Sequence, residues 1–64
     1  GHARAAMAAV TALPPELRAP IVLVEIEQLS YQEVATILNL PEPTVRGRLH
    51  RARRQLVDTL REWA

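Results

Sequence analysis

"SYQEVATILNLPEPTVRGRLHRARRQL", Ser30 to Leu56, decides how this chain folds. Ser30 with Glu33 three residues on forms a capping box. The serine hydroxyl accepts from the Glu33 N–H while the glutamate reaches back to the Ser30 N–H. Behind that cap, Val34, Ala35, Ile37 and Leu38 read as the buried side of a short helix. Asn39 stands where a helix ends left-handed, a conformation asparagine tolerates. Leu40 plugs the turn, and Pro41 and Pro43 bracket the start of a last, longer helix, where a missing N–H costs little.

That last helix carries two faces. Advancing about 100° per residue from Val45 gathers Leu49, Ala52, Leu56, Leu60 and Trp63 within about 60° of it. Away from this stripe fall Pro43, Arg46, Gly47, His50, Arg51, Arg54 and Arg61. Between 46 and 54 there are five arginines and no acid. Gly47 lies nearly opposite the stripe. A mid-helix glycine costs roughly 1 kcal/mol against alanine, and close approach of a bulky partner would give it a reason.

Upstream, the pattern predicts two further helices. One runs from about Ala3 to Ala12, alanine-rich, with Met7 and Val10 as its apolar marks. "LPPE" at 13–16 starts the next, which extends to about Gln28 and offers Leu17, Ile21, Leu23 and Val24 to a core. Pro20 lies inside it, so a kink or a late start is expected there. "IVLVEIE" looks strand-like in isolation but has no second strand to pair with. The expected fold is therefore all-α. Four helices form a single domain over residues 1–64, with a helix-turn-helix over about 30–58. Gly1-His2 reads as a cloning scar.

Composition narrows the function classes. In 64 residues there is no cysteine, hence no disulfide and no thiolate. His2 and His50 are far apart and lack carboxylate clusters, so no metal or other cofactor is expected. No apolar run approaches the roughly 20 residues that span a bilayer, and "GHARAAMAAV" lacks the features of a signal peptide. No nucleophile–base pair or phosphate-cradling glycine loop suggests an enzyme. Net charge is only +1, but it is polarised. Arg4 and Arg18 face four acids in residues 1–40; six arginines face Glu42, Asp58 and Glu62 in residues 41–64. A basic helix at one end of a small domain is the footprint of a nucleic-acid binder. A solvated amphipathic helix would carry the same charge.

The residues from 13 to 56, above all "LPP", "LSYQEVA" and "TVRGRLHRAR", closely resemble region 4 of bacterial sigma factors of the extracytoplasmic-function group. "LS..EVA..L" alone would also fit the helix-turn-helix of LuxR-type response regulators, which do not continue as "RLHRAR". The resemblance implies a winged-helix-like superfamily domain at the C-terminus of a sigma factor. Its helix-turn-helix would read the promoter −35 element in the major groove. It further implies docking on the β-subunit flap of the RNA polymerase core and masking by an anti-sigma factor. The implied location is cytoplasmic, with a membrane-bound anti-sigma factor able to hold the protein at the membrane; no membrane insertion is expected.

Carried over residue by residue, base reading falls to Glu42, Pro43, Arg46 and Gly47. The family often has a small residue and glycine where Glu42-Pro43 stands, serine at Gly47, and glycine at Asn39. The first two departures lie on the reading surface, so the promoter sequence does not transfer from relatives. Arg46 suits bidentate contact with a guanine edge, with a phosphate contact or a solvated side chain as its plainer roles. Glu42 suits cytosine N4, or simply the positive end of its helix. His50, Arg51 and Arg54 suit phosphates, which fix register without reading sequence. So do the backbone N–H groups near Ser30 and Tyr31 at a helix start. Val45, Leu49 and Asn39 are expected to be structural. Arg48, at the border of the stripe, is expected to pair with Glu33, and Arg53 to be structural or solvated. A second reading makes the chain chiefly a protein-interaction module for an anti-sigma factor or the polymerase flap.

Overall fold

Local signals at Ser30, Asn39 and Pro15 set the helix boundaries. The computed structural model describes the backbone of residues 2–63 and the side chains of residues 3–62. Helix α1 is His2–Thr11, α2 is Pro15–Ile21, α3 is Tyr31–Leu38 and α4 is Glu42–Trp63. A π-helical segment, Val22–Ile26, continues α2. No strand occurs among the described residues, and the fold is the expected all-α arrangement with a helix-turn-helix formed by α3 and α4.

Proline at the first position starts α2, where its missing donor leaves no bond unmade. The late start expected from Pro20 does not occur. The helix begins at Pro15, and the Pro20 ring is fully buried, which offsets the lost backbone bond. The irregularity comes one turn later, where the Glu27 N–H donates to the Val22 carbonyl at 3.1 Å, five residues back. Gln28 then turns left-handed at φ 59°, and the Leu29 N–H closes the end onto the Leu23 carbonyl at 3.0 Å.

The capping box is present in full. Glu33 N–H donates to Ser30 Oγ at 3.1 Å, and Ser30 N–H donates to Glu33 Oε1 at 3.0 Å. At the other end Asn39 is left-handed (φ 56°, ψ 50°). Its N–H donates to the Thr36 carbonyl at 3.3 Å, and the Leu40 N–H donates to the Ala35 carbonyl at 2.9 Å. This paired closure satisfies carbonyls that a helix end leaves open. Three residues, Asn39 to Pro41, therefore suffice to redirect the chain into α4.

Helix α4 packs against each of the other three helices. Its 22 residues span about 33 Å at 1.5 Å per residue, nearly the whole 35 Å length of the molecule. The core is Leu13, Leu17, Ile21, Val34, Val45, Leu49 and Ala52, with Leu40 and Leu56 packed at its edge. Two apolar expectations are corrected. Ile37 is 58% exposed, because it turns away from α4 while Val34 and Leu38 turn toward it. Met7 is likewise outside; the small Ala9 is the buried residue of α1, allowing close approach of that helix. The expected packing of Trp63 and the reading of Gly1-His2 as a cloning scar lie outside the described residues.

Candidate nucleic-acid interface

The candidate surface begins where the turn delivers the chain into α4. Because Val45 and Leu49 are fully buried, the helix cannot rotate about its axis, and the residues between and beside them are fixed outward. Glu42, Pro43, Arg46, Gly47, His50, Arg51 and Arg54 are all exposed, as the helical wheel requires. A Cβ added to Gly47 would meet nothing within 4 Å. No packing demand therefore accounts for glycine there; it leaves the helix bare between Arg46 and the arginines beyond.

Arg46 is held from two sides. Its Nη2 lies 3.3 Å from Glu42 Oε1, one turn earlier on the same helix. Its guanidinium carbon lies 5.8 Å from the centre of the Tyr31 ring, at the start of α3. An exposed i,i+4 pair is worth only about 0.3–0.5 kcal/mol, so a nucleic-acid partner can displace Glu42 at small cost.

Tyr31 leads to a third helix. Arg53 Nη1 donates to the Tyr31 hydroxyl at 3.2 Å, and Arg53 Nη2 donates to Glu25 Oε1 at 2.7 Å. These two acceptors hold the Arg53 guanidinium firmly charged, the Glu25 carboxylate contributing most. Arg53 is thus structural rather than merely solvated. Sequence reasoning missed the part played by Glu25. The available signal was that Arg53 follows Arg46 by seven residues, two helical turns, and so shares its flank of α4.

Two expectations at α3 are corrected. Glu33 does not pair with Arg48. Its carboxylate is taken by Ser30, whose backbone N–H and then hydroxyl hold it below the ordinary carboxylate pKa. The ion pairs among the described residues are Arg46–Glu42 and Arg53–Glu25. Arg48 stays half-buried on the other flank of α4. The Ser30 N–H is likewise already bonded, so the first-turn donors left without an intrahelical partner are those of Tyr31 and Gln32.

A capped helix, a three-residue turn and a long helix with a bare, basic outer face define a helix-turn-helix DNA-binding domain. Comparison with known proteins narrows this class. Residues 3–56 match the family model for Sigma-70, region 4. ECF RNA polymerase sigma factor SigE of Mycolicibacterium smegmatis is 53% identical over 53 residues, covering 83% of this chain and 21% of that protein. ECF RNA polymerase sigma-E factor of Escherichia coli is 48% identical over 44 residues, 69% of this chain and 23% of that protein. The chain belongs to the Sigma-70 region 4 family, as region 4 of an ECF sigma factor. It is therefore a sigma-factor DNA-binding module, from a family of non-enzymatic transcription-factor domains. The LuxR-type alternative is set aside by this match. The chain spans less than a quarter of the length of these relatives. No helix among the described residues is long and apolar enough to cross a membrane.

Proposed function

We propose that this chain recognises the promoter −35 element in the major groove and so directs RNA polymerase to initiate transcription for an alternative sigma factor. The observation that carries the reading is the start of α4. Arg46, bare Gly47 and the exposed first turn with Glu42 and Pro43 project from a helix locked by Val45 and Leu49. Arg46 donates to a guanine edge. Glu42 accepts from cytosine N4 when Arg46 releases it. Pro43 and Gly47 let the helix approach the base edges. His50, Arg51 and Arg54, with the free N–H of Tyr31, hold phosphates and fix the register.

In this reading the β-subunit flap of the core enzyme is a second partner, an anti-sigma factor a third, and the site of action is the cytoplasm. Exposed Ile37, beside Gln32, Glu33 and Thr36 on α3, favours a protein contact at that surface in addition to DNA. With about four to six phosphates neutralised, log K against log salt falls with a slope near −4 to −5. The test is titration of the full-length sigma factor, assembled with core polymerase, on a promoter duplex chosen by binding-site selection. A slope flatter than about −1 in a complex that does bind would contradict the phosphate assignment.

A further inference from the structure

We infer that the side chain of Tyr31 is a positioning residue for Arg46, and that Arg53 and Glu25 anchor it. The inference rests on Arg46 reading a base. The links run in one chain across three helices. Glu25 holds Arg53 at 2.7 Å, Arg53 holds the Tyr31 hydroxyl at 3.2 Å, and the Tyr31 ring stands 5.8 Å from the Arg46 guanidinium carbon. A cation this close to an aromatic ring is attracted by it. The ring itself has little freedom: it is half-buried, packed against the core, and tied at its hydroxyl end.

The arrangement matters because an arginine side chain is long and flexible. A base-reading arginine that wanders over many rotamers loses that freedom on binding, and restricting it beforehand tightens recognition. Glu42 alone would hold Arg46 along the helix surface. Tyr31 adds a restraint from the neighbouring helix, so the guanidinium is aimed before DNA arrives. The role is distinct from a phosphate contact, which the Tyr31 backbone N–H can make whatever its side chain.

The test uses the full-length sigma factor with core polymerase on the selected −35 duplex and on a random duplex, comparing Tyr31→Leu, Tyr31→Phe, Arg46→Ala and the double variant Tyr31→Leu/Arg46→Ala. Tyr31→Leu lowers the ratio of specific to random affinity by about two- to five-fold, the size expected of an exposed cation–ring contact. Tyr31→Phe, which keeps the ring but loses the tie to Arg53, falls between wild type and Tyr31→Leu. A ratio equal to wild type would remove Arg53 and Glu25 from the positioning role. The double variant discriminates no worse than Arg46→Ala alone. Should Tyr31→Leu fail to fold, Tyr31→Met, a flexible filler of similar reach, takes its place. Equal weakening on both duplexes, or additive losses in the double variant, would overturn the inference. If Arg46→Ala lowers discrimination and Tyr31→Leu does not, only the positioning role falls. If Arg46→Ala leaves discrimination intact, the base-reading assignment falls and the positioning role falls with it.

Discussion

The two halves of α4 live in different surroundings. In the first half Val45, Leu49 and Ala52 are wholly enclosed. In the second, Leu56 is half-buried, Val57 is 51% exposed and Leu60 is 37% exposed, although the same apolar stripe continues through Leu56 and Leu60. One helix thus combines an anchored end and a loosely covered end. The anchored end is the one that follows the turn and carries Arg46 and Gly47. Cohesion is concentrated beneath the first turns, which carry Arg46 and Gly47, while the far end, with Arg54 and Arg61 on its outer face, is less tightly held.

The strongest way to break this contrast is by truncation. Leu49→Ala is expected to cost about 2–5 kcal/mol, the range for emptying a packed core site. In a domain this small, that suffices to unfold most molecules at ambient temperature. Leu60→Ala, already partly in water, is expected to cost less than about 1 kcal/mol. Urea titrations of the two variants followed by circular dichroism check both, and similar losses would show that cohesion is spread along the helix.

A smaller effect sharpens the account of the anchored end. Ser30→Ala removes the cap on α3 and is expected to cost about 1 kcal/mol, measured as a lower urea midpoint. Acid probes the same cap through Glu33. The folded state lowers its pKa, so the capping contribution is fully present above the ordinary value of 4.5 and fades as pH falls through the lower folded value. Wild type is therefore expected to lose its advantage over Glu33→Gln, which carries no titrating carboxylate, as pH drops below that window. A difference that persisted unchanged in strong acid would show that the carboxylate takes no part.

The smallest expected effect has the opposite sign. Gly47→Ala meets open space, and alanine is the better helix former, so the free protein gains up to about 1 kcal/mol. A thermal melt checks this. Destabilisation would mean that glycine serves the backbone there rather than a partner. Gly47→Gln, by placing a side chain in the groove, is expected to weaken or redirect promoter selection.

Much of the fold was legible because its signals are local. The Ser30–Glu33 box, the left-handed Asn39 and the stripe through Val45, Leu49 and Ala52 depend on residues within a few turns of one another. What escaped depends on which helix lies where. A wheel gives the direction of Arg48 but not the neighbour it faces, so the expected partner, Glu33, proved to belong to Ser30. The Arg53 contacts join residues 22 and 28 positions apart, across helices whose relative placement no periodicity reports. Ile37 and Met7 escaped because a short helix needs only a narrow stripe to be covered, and small residues such as Ala9 can supply it. The π-helical segment Val22–Ile26 is closed by the Glu27 N–H reaching five residues back to the Val22 carbonyl, a shift of one residue that residue identity alone does not disclose.

The most direct test of the central claim, that the first turns of α4 read bases and the turns from His50 onward hold phosphates, compares two arginines eight residues apart. Arg46→Ala and Arg54→Ala are measured in the full-length sigma factor with core polymerase, on the selected −35 duplex and on random duplex at one salt concentration. Arg46→Ala is expected to lose roughly 1–3 kcal/mol on the selected sequence and almost nothing on random DNA. Arg54→Ala is expected to weaken both about equally. If Arg46→Ala weakened both duplexes alike, Arg46 would be a phosphate contact, and the anchored end of α4 would not be where this protein reads its promoter.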